Sequence, residues 1–311
     1  IADEAFKNCK GLTGIEISQD SEVILGNRCF VGCDNLKTVY LYGDIPQWGD
    51  ECFMDCEGLE TVIIGSSSKS IVPRIGTRAF KNCIGLKGTS AVTIRSQVNC
   101  LGEECFADCV NLVGIPINTI IYNSLEKVED RAFANCAALT NAFISNKYTI
   151  LKSIGEYAYY NCDSLKQPSI PDSVTEIGEG CFSECDNLMY VSVYGAVEEY
   201  PKDCFKNCPK LIRTGGTAKA FSSLKRIGQN AYEGCKSLAV SANWHPGKYE
   251  NLEEIGENAF KDCSSLTDIY LSETVLKVGQ GAFNGCTGIT ALEFRSAVPP
   301  EIGIIDLNTM A

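Results

Sequence analysis

Apolar residues recur along the chain in a fixed unit that is copied twelve times. Each unit holds a small residue, an aromatic, two variable residues and Cys, as in Ala5-Phe6-Lys7-Asn8-Cys9, and a Leu or Ile follows three residues later. One such unit cannot bury its own apolar face, so the period predicts units that stack on one another. The aromatics, spaced 23 to 28 residues apart, are Phe6, Phe30, Phe53, Phe80, Phe106, Phe133, Tyr159, Phe182, Phe205, Tyr232, Phe260 and Phe283.

Two further patterns predict the elements of a unit. After the Leu, two buried-type residues alternate with outward ones, as with Val39 and Leu41, and this period of two predicts a short strand with one buried side. From the aromatic to the Leu, apolar residues stand three apart, which predicts one or two inward-facing helical turns. Several units also place an Ile-Gly pair before the aromatic, such as Ile177-Gly178. Each turn of the coil therefore adds one parallel strand and one short helical or 3-10 segment.

The unit that runs from Leu165 through Ser169-Ile170-Pro171 and Ile177-Gly178 to Cys181-Phe182-Ser183-Glu184-Cys185 resembles the leucine-rich repeats of the BspA-like, or Treponema, type. The resemblance covers essentially the whole chain. It implies an α/β solenoid, namely a right-handed superhelix of about twelve repeats with a curved parallel sheet and short helical or 3-10 turns.

The period predicts one continuous solenoid over residues 1–311, with twelve repeats in 1–295 and a tail or cap in 296–311. Three stretches depart from the pattern, at 89–94, 213–221 and 240–249, and these are expected to bulge from the coil. The chain opens inside a repeat, which suggests that sequence upstream of it is missing.

Charge excludes two classes of partner. The net charge of −12 is spread along the chain rather than gathered in blocks. A mildly acidic surface argues against nucleic acid, which needs a basic face, and against docking on anionic lipid. The sequence also has no apolar stretch of 18 residues, so it predicts no membrane span.

Cysteine is abundant, with 18 residues, and its positions favour a packing role. Twelve occupy the Cys column, and five more occupy the small-residue column, where other units have Ala. Only Cys100 lies outside both. The occurrence of Cys in some units and Ala in others at the same repeat position is typical of a free thiol that acts as a small buried apolar residue. Zinc is the weaker interpretation, because it needs a second close-spaced ligand pair from an adjacent repeat and the lone His245 gives no mixed site. An occasional disulfide between neighbouring rungs is conceivable, but a full ladder of disulfides is not expected. We expect a thiol-rich protein of a reducing compartment or an anaerobic exterior.

No catalytic or cofactor motif is visible. The single histidine, His245, lies in the irregular loop around Trp244 and Pro246, where it is expected to be a surface residue. Phosphate-cradling glycine motifs do not occur, so no cofactor is predicted and the chain is predicted not to be an enzyme. An enzyme site hidden in the irregular stretch 213–249 is the remaining alternative, and a deep charged pocket there would favour it.

The candidate binding residues are those that flank the buried strand positions and so face outward from the parallel sheet. Exposed aromatics are common at interface hot spots, although tyrosine also stabilises sheets without any partner. The predicted ligand-binding residues are Tyr40, Tyr42, Phe143, Tyr190, Tyr194, Tyr270 and Arg295.

These features favour a non-catalytic recognition protein. The resemblance implies secretion or display on the cell surface and adhesion to host matrix proteins or other cells. The alternative is a structural spacer that displays another domain absent from this chain. The sequence leaves the ligand and the oligomeric state open.

Overall fold

The computed structural model describes residues 1–66, 71–116, 119–140, 142, 144–240, 245–295 and 300–302. Within them the chain forms a parallel solenoid of about eleven turns with little helix, as the period predicted. Every strand pair in it is parallel, and each strand pairs with the equivalent strand one turn away. Each turn of the coil has three sides: a first ladder of strands, a second ladder, and a wall of turns.

The first ladder follows the Leu of each unit. Its buried positions are Val39 and Leu41 in the second unit and their register partners Val62 and Ile64 in the third. Its strands are β1 (Gly14–Ile17), β2 (Thr38–Leu41), β3 (Thr61–Ile64), β5 (Val92–Ile94), β9 (Ser169–Ile170), β11 (Tyr190–Val193), β13 (Arg213–Thr214), β16 (Ile269–Leu271) and β18 (Leu292–Phe294). They form sheets of four, three and two strands.

The second ladder lies just before the aromatic, at the Ile-Gly pairs. Its Ile or Val points into the core, as Ile227 and Ile255 do, and the following glycine lets the turns approach closely. Its strands are β4 (Ile71–Ile75), β6 (Gln97–Leu101), β7 (Lys127–Val128), β8 (Ser153–Ile154), β10 (Glu176–Ile177), β12 (Glu199–Tyr200), β14 (Arg226–Ile227), β15 (Glu254–Ile255), β17 (Lys277–Val278) and β19 (Glu301–Ile302).

The third side, which we call the turn wall, holds the aromatics and cysteines. Its side chains face inward as predicted, but the backbone is a run of turns rather than a helix. Residues two before and two after each aromatic adopt left-handed φ, as Glu51 (57°) and Asp55 (60°) do around Phe53. The twelve segments are residues 4–9, 28–33, 51–56, 78–83, 104–109, 131–136, 157–162, 180–185, 203–208, 230–235, 258–263 and 281–286.

Left-handed residues break the helix because they reverse the direction of alternate N–H groups. The Cys56 amide bonds back to the Phe53 carbonyl three residues earlier. The Phe53 amide instead donates to the Ala79 carbonyl of the next turn at 2.8 Å. The wall therefore behaves as a third hydrogen-bonded ladder. The column two after the aromatic contains Asn, Asp or Gly in all units but that of Glu184, and these residues tolerate left-handed φ best.

The aromatic column is one continuous stack. Neighbouring rings lie nearly parallel with centroids 5.1 to 5.9 Å apart from Phe6 to Phe283, and all but Phe6 are buried. Phe106, for example, lies 5.3 Å from Phe80 and 5.5 Å from Phe133. This stack buries large apolar area in every turn, and it fixes the stacking distance of the coil.

The cysteine column adds a bond that the sequence did not predict. Each thiol from Cys33 to Cys286 lies 2.9 to 3.2 Å from the carbonyl oxygen of the aromatic one turn earlier, as Cys136 does from Phe106 at 3.1 Å. The S–H group thus donates to a buried carbonyl oxygen. With Ala or Val in place of Cys, that carbonyl would have one hydrogen bond fewer. All eighteen cysteines are free thiols, and sixteen of them are buried.

Among the described residues, two of the three short helices begin in the irregular stretches, and the third lies outside them. The helix α1 (Thr119–Tyr122) lies in the fifth unit, and α2 (Ala218–Ser223) follows β13, capped by the Thr217 hydroxyl. A 3-10 helix spans Pro246–Lys248. The shifted strand expected at 89–94 is β5, which keeps its register with β3 after a bend at 89–91. Residues 241–244, within the third irregular stretch, lie outside the described residues.

Candidate functional site

The candidate site is the outer face of the first ladder, meaning the side chains that point away from the core. In β2 and β11 the residues alternate between half-buried and buried positions, so Tyr40 and Tyr190 face outward while Val39 and Val191 face the core. This is the orientation that the period of two predicted. Of the predicted binding residues, Phe143 lies outside the described residues, and its prediction is not tested.

The first cluster on this face is a tyrosine pair. The rings of Tyr40 and Tyr42 stack with centroids 5.8 Å apart and an interplanar angle of 19°. Register places Tyr40 between Glu16 of β1 and Ile63 of β3. Each ring is held against its neighbours while part of its surface stays open to solvent.

The second cluster lies around β11. The Arg213 guanidinium covers the Tyr190 ring at 4.9 Å, which is close enough for a cation–π interaction. Tyr194 lies past the end of the same strand, and its carbonyl accepts a hydrogen bond from the Thr217 hydroxyl. Tyr190 and Tyr194 are both half-buried and flank Ser192.

The third cluster brings Tyr270 and Arg295 together. The Arg295 guanidinium lies 3.7 Å from the Tyr270 ring centroid on one side. The His245 ring stacks on that tyrosine at 3.7 Å and 16°, and a Cβ on Gly247 would overlap its edge. The Tyr270 ring is therefore held between His245 and Gly247, and the exposed Arg295 lies over it.

His245 corrects a prediction: it is not a surface residue but is only 4% exposed. Its Nδ1 accepts a hydrogen bond from the Gly247 amide at 2.8 Å, and its Nε2 lies 3.0 Å from the Asp268 carbonyl. The Tyr270 amide also lies 3.3 Å from Nε2. Because Nδ1 accepts the shorter bond from Gly247 and the Asp268 carbonyl can only accept, the proton of the neutral ring is assigned to Nε2. Burial lowers the pKa of His245, so the ring is neutral at pH 7. Its role is to cap the 3-10 helix and support Tyr270.

A groove of about 540 Å³ adjoins the third cluster. It opens between α2 and the 3-10 helix, and Tyr270 and Arg295 form its far side. Its cations are Lys219, Lys248 and Arg295, and Glu250 is its one acidic residue. Phe221, whose ring packs on buried Tyr249 at 5.4 Å, adds an apolar surface. The prediction missed Lys219, Lys248 and Phe221, because irregular stretches have no period from which to assign their faces.

The three clusters are separate patches on one side of the coil. Six turns lie between Tyr40 and Tyr190 and three between Tyr190 and Tyr270, which is roughly 30 Å and 15 Å at the spacing of parallel strands. A single small ligand cannot contact all three. The arrangement suits an extended partner, or several local contacts with one large surface.

Catalytic arrangements are not formed by the groove residues. The Ser222 hydroxyl donates to the Lys219 carbonyl, and both His245 nitrogens are occupied beneath the groove floor. In the described part of the chain, no three His, Cys, Asp or Glu side chains are grouped to hold a metal ion. None of the helices described above has the length and apolar character needed to cross a bilayer.

Comparison with protein families gives one clear match. The model of a BspA type leucine rich repeat region of six copies matches residues 1–122, 71–151, 117–239 and 215–303. A search of curated proteins found no match to the chain.

Solved structures show the same fold. A leucine-rich repeat protein from Bacteroides ovatus is 23% identical, with a TM-score of 0.59, over 97% of this chain and 87% of its own. The Treponema pallidum leucine-rich repeat protein is 26% identical, with a TM-score of 0.49, over 57% of this chain and 77% of its own. A leucine rich cell surface protein from Faecalibacterium prausnitzii is 20% identical, with a TM-score of 0.31, over 92% and 88%. The fold assignment rests on the Bacteroides structure.

Proposed function

The chain belongs to the BspA-type leucine-rich repeat family, and from that premise we propose that it is a non-catalytic recognition protein. It binds a protein or another cell-surface ligand through the outer face of the first ladder. The observation that carries this proposal is the clustering of outward tyrosines with arginines on that face, as in Tyr190 with Arg213 and Tyr270 with Arg295.

Such clusters suit binding because they are already ordered before a partner arrives. Tyrosine and arginine are, with tryptophan, the residues enriched at interface hot spots. Half of each tyrosine is fixed by its neighbours, so little conformational entropy remains to be lost on association. The stacked core behind the ladder keeps the clusters at constant spacing, which supports recognition of one extended surface.

We place the protein on the cell surface or in the secreted fraction, where adhesion to matrix proteins or other cells takes place. The support for this location is membership of the BspA-type family, because the family resemblance of the sequence implies display on the cell surface. Protease treatment of intact cells tests this: the protein is expected to be cleaved while a cytoplasmic marker stays intact. Protection of both would contradict it.

The binding face is tested with the full chain on immobilised matrix proteins and whole cells. The double variant Tyr190→Ala with Tyr194→Ala is expected to weaken any binding detected by at least about tenfold, since each lost hot spot costs roughly 2 kcal/mol. Tyr160→Ala is the matched control, because Tyr160 is also half-buried but lies on the turn wall. Equal affinity of the double variant and the control would show that this face is the wrong choice.

A spacer is the second candidate, and the unbroken ring stack from Phe6 to Phe283 favours it. A coil with one continuous stack keeps a fixed length, which is what a spacer needs. Absence of binding to every matrix protein and cell type, together with a folded chain, would favour the spacer over recognition.

A further inference from the structure

We propose that the groove between α2, the 3-10 helix and Arg295 binds an acidic segment of a partner protein, with Arg295 holding a carboxylate. This deepens the proposed function and rests on it, because the groove borders the same outer face.

Charge is the first argument. Three cationic side chains line the groove against one carboxylate, although the protein as a whole carries a net charge of −12. Lys219 pairs with Asp172 at 2.6 Å, but both side chains are largely exposed. An exposed pair of this kind contributes little to stability, so an incoming carboxylate exchanges with Asp172 at little cost. Asp172 and Glu293 lie beside these cations, but the lining itself is mainly cationic, in a protein whose net charge is −12.

The geometry of Arg295 is the second argument. Its guanidinium carbon lies over the Tyr270 ring, 3.7 Å from the centroid, and its Nε donates to Glu293 at 3.2 Å. Among the described residues, no partner is found for its two terminal nitrogens. A planar guanidinium fixed in this way presents a two-pronged edge that matches a carboxylate.

The covered aromatic faces favour a peptide over a sugar. Carbohydrate recognition would need an open aromatic face, but Arg295 and His245 cover both faces of Tyr270. Phe221 packs against Tyr249, so only part of its side chain borders the groove. That remaining apolar surface fits an aliphatic side chain next to the carboxylate. A segment that alternates Glu and Leu has this chemistry.

The probe is a labelled ten-residue peptide of alternating Glu and Leu, titrated into the full chain by fluorescence anisotropy. We expect saturable binding that weakens steeply as salt is raised, and no binding of the matched Gln-Leu peptide. Arg295→Gln is expected to weaken binding at least tenfold. Arg226→Gln, which makes the same charge change on the second ladder, is expected to shift it less than twofold.

Gly247→Ala sharpens the test because it changes no charge. Its Cβ would displace the Tyr270 ring, which supports Arg295. Peptide binding is therefore expected to fall while the far-UV circular dichroism spectrum stays unchanged.

The proposal is overturned if Arg295→Gln binds the Glu-Leu peptide like the unchanged protein, if the Gln-Leu peptide binds equally, or if heparin binds and the Glu-Leu peptide does not. Retained sensitivity of cell binding to Tyr190→Ala with Tyr194→Ala would then leave the proposed function standing while this groove is excluded.

Discussion

The turn wall and the first ladder are two sides of the same coil, yet they differ in regularity. On the turn wall, every unit has its stacked ring, and from Cys33 onward a thiol bonds to the previous turn. The first ladder is divided into sheets of four, three and two strands, and it borders both α2 and the 3-10 helix. An aromatic ring or a thiol that packs on its own copies in both neighbouring turns tolerates little change, whereas an outward strand residue is less constrained. Packing is therefore concentrated on one side and candidate chemistry on the other.

Among the tests of this difference between the turn wall and the first ladder, alkaline pH is expected to have the largest effect on stability. Burial raises the pKa of most core thiols, and that of Cys109 and Cys235 to about 12. An unfolded thiol has a pKa near about 8.5, so the thiol contribution to stability is intact below that pH. It is lost as pH rises through the window up to about 12, at about 1.4 kcal/mol per pH unit for each thiol.

Urea unfolding followed by circular dichroism measures this effect. The urea concentration at the midpoint of unfolding is expected to be constant from pH 6 to 8 and to fall steeply above about pH 9. Cys109→Ala, which lacks one such thiol, is expected to give a shallower slope. A midpoint that stays level to pH 10.5 would contradict the assigned burial of the thiols.

The next effect is the removal of one ring from the stack. Phe106→Ala leaves a cavity between Phe80 and Phe133 and is expected to lower the free energy of unfolding by about 3–5 kcal/mol. Tyr42→Ala, on the outer face, is the comparison and is expected to cost less than about 1 kcal/mol, as surface substitutions do. Similar losses for the two variants in urea titrations would mean that the two sides share the stabilisation equally.

A smaller effect concerns the left-handed backbone of the turn wall. Asp262 has φ of 61°, which a β-branched residue tolerates poorly. Asp262→Val is expected to cost about 1–3 kcal/mol, and Asp262→Gly no more than about 1 kcal/mol, because glycine adopts this φ freely. Thermal unfolding of the two variants distinguishes backbone strain from the loss of the carboxylate. A glycine variant as unstable as the valine variant would assign the effect to the side chain instead.

The smallest effect is one of reactivity without loss of stability. Cys9 and Cys100 are the two partly exposed cysteines of the eighteen, so they alone are expected to react with a thiol reagent in the folded protein. Burial raises the pKa of Cys100 to about 11, so its rate should rise about tenfold per pH unit below that value. Mass spectrometry after brief labelling counts the modified sites. Labelling of Cys136 at a similar rate would mean that the wall opens locally.

Prediction from sequence succeeded for the inward columns of the repeat, but it failed for the backbone of the turn wall and for the aperiodic residues around His245. The inward rows at Phe53, Cys56 and Leu59 were assigned correctly, since each has identical neighbours one turn away. The predicted helical turns became left-handed turns, although the column of Asn, Asp and Gly two residues after the aromatic was visible. Apolar residues three apart are compatible with both a helical turn and a left-handed turn. The column of Asn, Asp and Gly is the feature that distinguishes the two.

The sequence by itself determined the coil: a period near 25 residues, with apolar columns that no single unit can bury, leaves stacking as the way to remove them from water. It also determined which strand residues face outward, because the strand period of two fixes alternate sides. Tertiary structure alone decided that His245 is buried beneath Tyr270 and that Lys219, Lys248 and Arg295 meet around one groove. Those residues come from separate turns of the coil, and their meeting depends on how aperiodic segments fold over the ladder, which no repeat pattern encodes.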